Sequence, residues 1–467
     1  MLQNSRICCV PKRYAIVFMI FLGYAIMTCL HTNLAMTVVE MTTLKNVSNQ
    51  NGYSELKAEF NWTPQEKGLV LSSYSYGRLL CPLGGLLAGK LGGSTIYAIG
   101  YLVMSLVTFF TPVLLSVNFT LFFIIYVIFG IFESFIFSGV PDIFSRWAPP
   151  NERSKFVSFG VSGFYVGTVA SFAISGWVLT NYNWQKLFYG SGLVSFAWTL
   201  IWFAIVRNDP AKDKFISESE LKYIQDELKS GDVEQKLTYP WKRIFTSAAL
   251  WIAALSEFAI VCGYVFSTMF LPQYIKDINN FDIEKIGYIS TLPHICSIIS
   301  MPICGCVCDY IRSHKIISIT NIHRIVAGIG LFIAVLSYAV VPIWTNVVVD
   351  IVAISVFQFF STFVIIDLNV FILDFAPKYS AFMMSVINSI ATSSGVVVPI
   401  LVASIVTSAS LSQWNTCFVV FSIMYLIAAI FYLIFVSEEQ PLWVNSTSTT
   451  ENKQSQEKRE DNTICTS

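Results

Sequence analysis

Charge is what this sequence has least of. Asp, Glu, Lys and Arg make up 12% of its 467 residues, against roughly 25% in an average soluble domain. With 55% apolar residues, a water-soluble chain of this size is excluded. Residues 91–132, 156–185, 187–206 and 379–437 carry no charged side chain, and about 20 apolar residues suffice to cross the hydrocarbon as helix. These runs lack the alternation of a membrane barrel, and backbone in lipid must satisfy its own hydrogen bonds, so the spans are helical. A dense basic stretch is also missing: 29 basic and 29 acidic residues cancel, which excludes nucleic acid as a partner.

Other absences narrow the chemistry. Most of the eleven cysteines fall within apolar runs, where a thiol behaves as a small hydrophobe. Cys304, Cys306 and Cys308 lie on a helical pattern that spreads them around the axis, and structural zinc sites use other spacings and four ligands, so no metal is expected. No Gly-rich loop ends in Lys-Ser or Lys-Thr, so ATP is not implied. No cofactor is expected, and no cluster of His, Asp and nucleophile suggests an enzyme. The first apolar run, Tyr14 to Val39, is too long for the core of a cleavable signal.

What is present is a set of twelve predicted spans, about 14–38, 67–88, 94–115, 119–141, 156–178, 186–206, 247–271, 287–308, 322–342, 347–371, 379–405 and 414–436. Residues 207–246 form the one long polar segment between spans and divide the chain into two six-helix bundles, 14–206 and 247–436. Within that segment, Phe215 to Leu221 begins a capped amphipathic helix ending near Gly231. Residues 1–13 and 437–467 flank the bundles, the latter rich in Ser, Thr, Glu, Lys and Gln and expected to be disordered. The fold class is therefore an all-α polytopic membrane protein. Basic residues such as Arg6, Lys12, Arg13, Arg146, Arg153, Lys155, Arg207 and Arg312 gather on one side, which places both termini in the cytosol by the positive-inside rule. The sequons at Asn46 and Asn61 then fall in the first outer loop, open to glycosylation, whereas Asn445 falls in the cytosolic tail.

The segment after span four reads Trp147-Ala148-Pro149-Pro150-Asn151-Glu152-Arg153-Ser154-Lys155. With Gly167-Thr168-Val169, Ser175-Gly176, Pro240-Trp241, Leu271-Pro272-Gln273-Tyr274 and Asp374-Phe375-Ala376-Pro377-Lys378-Tyr379, it resembles the sialin, vesicular glutamate and type I sodium-phosphate transporters of the major facilitator superfamily. The resemblance runs from Arg13-Tyr14 to about residue 436. It implies a two-bundle anion carrier coupled to protons or sodium, in the plasma membrane or a lysosomal or vesicular membrane. By the same resemblance Gly305-x-x-x-Asp309-x-x-Arg312 is similar to the superfamily loop motif, and Glu152, Arg153, Asp309, Arg312 and Asp374 are expected to act in gating.

Buried ionisable groups should carry the solute chemistry, because a charge at a helix centre costs about 2.5–3.5 kcal/mol on insertion scales. The candidates are His31, Arg78, Glu133, Glu257 and Asp367. Arg78 is the one arginine deep in the first bundle; its planar fork either holds a carboxylate or phosphate or neutralises Glu133. Glu133 is the leading proton site, with His31, Glu257 and Asp367 as further coupling groups. His31, Asn33, Tyr76, Tyr165 and Tyr264, with Arg78, are the solute-binding candidates; Tyr74 is a further aromatic of the same kind.

The chain departs from its relatives' pattern. His31 stands for the arginine of an R-x-N pattern whose Asn33 is retained. Phe129, Tyr126 and Pro141 stand where relatives place a glutamate, an arginine and a histidine. Ile260 replaces an arginine in span seven, and only Asp374 survives of an N-H-x-D pattern. The leading reading is a secondary transporter of small organic anions working by alternating access. The alternatives are a carrier of neutral or weakly charged solutes and a transport-inactive sensor or interaction protein of the same fold.

Overall fold

The computed structural model describes residues 11–435 apart from 44, 49–53, 81–83, 85–86, 88–89, 214, 230–239, 315–318, 345 and 377–378. In the first half, α1 (Lys12–Thr42) is followed by a hairpin of β1 (Lys45–Ser48) and β2 (Ser54–Lys57). Then come α2 (Pro64–Arg78), α3 (Gly93–Val117), α4 (Phe119–Trp147), α5 (Pro150–Asn181) and α6 (Trp184–Ile205). The connecting segment holds α7 (Glu218–Lys229) and α8 (Trp241–Phe245). In the second half follow α9 (Ala248–Met269), α10 (Leu271–Asn279), α11 (Ile283–Ser313), α12 (Ile319–Val340), α13 (Val347–Phe375), α14 (Ser380–Thr392), α15 (Ser394–Ile405) and α16 (Leu411–Phe435). Among the described residues, 11 helices are long and apolar enough to cross a membrane. The remaining predicted span, 67–88, is represented by α2, whose continuation after Arg78 lies mostly outside the described residues.

Local chemistry sets the boundaries. Thr63 and Glu66 form a capping box ahead of α2, with Pro64 in the first helical turn. The side chains of Asn118 and Asn346 cap α4 and α13. Pro149 and Pro150 end α4 and begin α5. Two features were not anticipated. The first loop carries the hairpin, with Lys45 opposite Lys57, and the eleventh span is broken at Ser393 into α14 and α15.

Within the first half α1 lies against α5, α2 against α4, and α3 against α4 and α6; within the second, α13 lies against α11 and α12, and α9 against α14 and α16. The halves meet through α5 on α11 and α2 on α15. Both seams come close at the end that carries the hairpin. A methyl on Gly68 would stand 2.9 Å from the Ala403 methyl, and one on Gly176 would stand 3.2 Å from the Gly287 Cα. Only small residues let helices approach this closely.

Candidate functional site

A cavity of about 190 Å³ lies between the halves. Thr28, His31 and Thr32 of α1, Tyr74, Ser75 and Arg78 of α2, and Phe164, Tyr165 and Thr168 of α5 line it from the first half. The second half contributes Glu257 and Tyr264 of α9, Ile365 of α13, and Asn388 to Gly395 around the break between α14 and α15. Ser393 keeps helical dihedrals, φ −62° and ψ −18°, and the turn it makes borders the cavity between Thr392 and Ser394.

Behind this wall sits Glu133, fully buried on α4. His31 Nε2 stands 3.1 Å from its Oε2 and Arg78 Nε stands 3.3 Å from its Oε1. Neither contact is an aligned hydrogen bond, since neither oxygen accepts one. Arg78 also borders the cavity and lies 4.9 Å from the Phe137 ring centre. Two glycines bring these groups together. A methyl on Gly77 would overlap the Val127 carbonyl, and one on Gly130 the Tyr74 carbonyl, so α2 and α4 cross backbone to backbone next to Arg78 and Glu133. The Tyr74 ring stacks on His31 with centroids 4.5 Å apart, and Phe129 meets His31 edge-on.

Aromatic side chains form part of the lining. Tyr264 packs on Phe164 and on Tyr165, and its hydroxyl lies 3.4 Å from that of Thr168. Glu257 is 5% exposed and its Oε2 accepts no hydrogen bond. Thus Arg78, His31, Tyr165, Tyr264 and Glu257 share one chamber, with Glu133 immediately behind it.

Three expected site residues lie elsewhere. Asn33 is a structural clamp: its Oδ1 accepts from Ser171 at 3.2 Å and from Ser175 at 2.7 Å, tying α1 to α5. Tyr76 packs against Phe123 and does not line the cavity; the ring that does is Tyr74, two residues earlier. Asp367 belongs to a separate buried group, 2.9 Å from His323 Nδ1 and accepting from the Tyr432 hydroxyl at 2.9 Å. The aromatic replacements Tyr126 and Phe129 stack on each other, and the Tyr126 hydroxyl meets that of Thr111 at 3.0 Å.

At the end carrying the termini, Arg13 Nε meets Glu152 Oε2 at 2.9 Å. Glu220 of α7 accepts from the backbone N–H groups of Lys12 at 2.9 Å and Arg13 at 3.0 Å, capping α1 from a distant part of the chain. Lys12 Nζ also pairs with Asp213 at 3.4 Å. These contacts fasten the connecting segment to the first half. The side chains of Arg153, Asp309, Arg312 and Asp374 lie outside the described residues, as does that of Asn46; Asn61 is exposed near the hairpin.

At the opposite end, Asp277 of α10 accepts from Trp414 Nε1 at 3.3 Å. Burial pushes its carboxyl up to about 6, against the opposing charge of Lys67. Among the described residues no group of His, Cys, Asp and Glu is arranged to hold a metal.

Sequence reasoning missed His323, the α14–α15 wall and the capping role of Glu220. The Ser393-Ser394-Gly395 run was the available signal for the second of these. The first and third depend on contacts between residues 44 and 208 positions apart.

The chain matches the Major Facilitator Superfamily profile over residues 16–399. It is 28% identical to vesicular glutamate transporter 2 of Homo sapiens over 450 residues, covering 95% of this chain and 77% of that protein. It is 29% identical to vesicular glutamate transporter 3 of Danio rerio over 451 residues, covering 95% and 76%. Among solved structures it is similar to a bacterial homologue of the human lysosomal transporter Spinster in an inward-facing, occupied conformation. That match has a TM-score of 0.69 and 13% identity over 91% of this chain and 97% of the other. It is also similar to a D-xylose–proton symporter, with a TM-score of 0.67 and 15% identity over 91% and 98%.

Proposed function

The chain belongs to the Major Facilitator Superfamily as a multi-pass membrane transporter, and on that premise we propose that it carries small organic anions bearing a carboxylate, coupled to protons, by alternating access. The observation that carries this reading is the placement of Arg78 between the cavity and Glu133. A guanidinium offers a planar fork of donors suited to a carboxylate. Here one side of the fork faces Glu133, and the residue also borders the space a solute would enter.

Coupling follows from competition. In the empty cavity, Arg78 balances the charge of Glu133. A solute carboxylate that engages Arg78 weakens that balance, and a buried carboxylate losing its counter-charge favours its neutral form. Glu133 therefore takes up a proton as the anion binds. His31, 3.1 Å from Glu133 and bordering the cavity, is the group through which the proton arrives. The imidazole favours protons over sodium as the coupling ion. Asp367, held by His323 and Tyr432, is assigned to anchoring α12, α13 and α16.

Movement follows from the seams. Opening toward the hairpin end requires α2 to leave α15 and α5 to leave α11, while Glu220, Arg13 and Glu152 keep the connecting segment on the first half. The distribution of basic residues supports termini in the cytosol, with Asn46 and Asn61 outside or in an organelle lumen. The experiment is uptake of labelled carboxylates into proteoliposomes under an imposed pH gradient. Acceleration by protons on the solute side supports the reading, and uptake indifferent to the gradient argues against the coupling.

A further inference from the structure

Glu257 is the cavity group that this mechanism leaves unused. It sits on the wall from the second half, nearly buried, with one carboxylate oxygen accepting no hydrogen bond. An ionisable side chain at this depth needs a partner or a watered space. Glu257 borders such a space, and the lining groups of its own half are Tyr264, Thr268, Asn388, Thr392 and Ser394 rather than cations. The basic side chains of the lining, Arg78 and the imidazole of His31, come from the first half.

The cavity is therefore polarised, basic on one half and acidic on the other. Tyr74, Phe164, Tyr165 and Tyr264 also line it, and aromatic faces attract cations. Arg78 already carries the counter-charge of Glu133. A solute that is purely anionic answers Arg78 and leaves Glu257 unmatched. A solute with a protonated amine as well as a carboxylate answers both.

We propose that the cavity binds a zwitterion, an amino-monocarboxylate whose carboxylate engages Arg78 and whose ammonium group engages Glu257. This rests on the carboxylate-transport reading and narrows its solute class. It also gives occlusion a driving force, because a solute held at one end by α2 and at the other by α9 draws the two halves together. A second carboxylate, as in glutamate, adds a charge for which the lining offers no additional cation.

The test uses the full-length protein in proteoliposomes with matched labelled pairs: β-alanine and propionate, γ-aminobutyrate and butyrate, 5-aminovalerate and valerate, with glutamate alongside. At least one amine-bearing member is expected to enter about tenfold faster, or more, than its partner lacking the amine, because a site built to hydrogen-bond a group rejects analogues without it. Glu257→Gln is expected to bring that ratio close to one. Glu257→Asp, shorter by one methylene, is expected to move the preference to a longer amino acid, a shift that misfolding does not produce. If the protein-dependent uptake of propionate, butyrate and valerate in every case matches that of the amine-bearing partner, or if the ratio survives in Glu257→Gln, the amine assignment is overturned and carboxylate transport stands. If a monodisperse, cooperatively melting protein takes up neither kind of carboxylate, both readings are overturned.

Discussion

Arg78 Nε and Glu133 Oε1 stand 3.3 Å apart, with the carboxylate fully buried and the guanidinium bordering the central cavity. An ion pair buried for structure alone would have both partners enclosed. This one leaves its cation within reach of a solute, which makes the pair separable by the solute's own charge.

Neutralising Glu133 should uncouple the carrier. Glu133→Gln keeps the shape and removes the ionisable proton, so the variant should still exchange solute across the membrane but fail to concentrate it against its gradient when only a pH difference is supplied. Counterflow and gradient-driven uptake, measured on the same proteoliposomes, separate the two. Retained accumulation in the variant would place the proton elsewhere.

The cap supplied by Glu220 should be worth a measurable amount of stability. Glu220→Ala removes acceptors from the N–H groups of Lys12 and Arg13 and a charge partner from Arg13. Loss of a helix cap costs about 0.5–2 kcal/mol, so the melting temperature in detergent should fall. The connecting segment should also be cut faster by added protease once it is released. An unchanged melting temperature would mean that water caps α1 equally well.

Asp277 gives a pH dependence of known sign. Burial holds its carboxyl up at about 6, above the ordinary value near 3.9, so the folded protein binds this proton more tightly than the unfolded chain. The associated stabilisation is complete below about pH 4 and is lost as the pH rises through about 6. Asp277→Asn should remove that part of the melting-temperature profile. A wild-type minus variant difference that does not change between pH 4 and 7 would contradict the assignment.

Glycosylation reads the orientation. Expression in cells that glycosylate should give a band shifted down by endoglycosidase, and replacing Asn46 and Asn61 by Gln should abolish the shift. Sugar on Asn445 instead would place the tail outside and invert the topology.

Much of the fold was legible because lipid leaves few alternatives. The charge-free runs could only be helices, and they coincide with the long apolar helices. His31, Arg78, Glu133 and Glu257 stood out because a charge inside an apolar run is costly enough to need a reason. Direction around a helix was harder to read. Tyr74 and Tyr76 differ by two positions, which turns one toward the cavity and the other toward Phe123. The pairing of Asp367 with His323, and the reach of Glu220 to α1, arise from tertiary packing between segments that carry no local sign of each other. Asn33 shows the reverse case: a retained position in a solute-site pattern turned out to clamp two helices through Ser171 and Ser175.

The most direct measurement is gradient-driven uptake of a labelled carboxylate by wild type and Arg78→Gln, reconstituted at equal amounts and shown to melt alike. Truncating one partner of a buried charge pair costs about 2–5 kcal/mol, so uptake should fall by about 30-fold or more. Arg78→Lys should not restore it fully, because an ammonium lacks the fork. Equal uptake by wild type and Arg78→Gln would contradict the account at its centre.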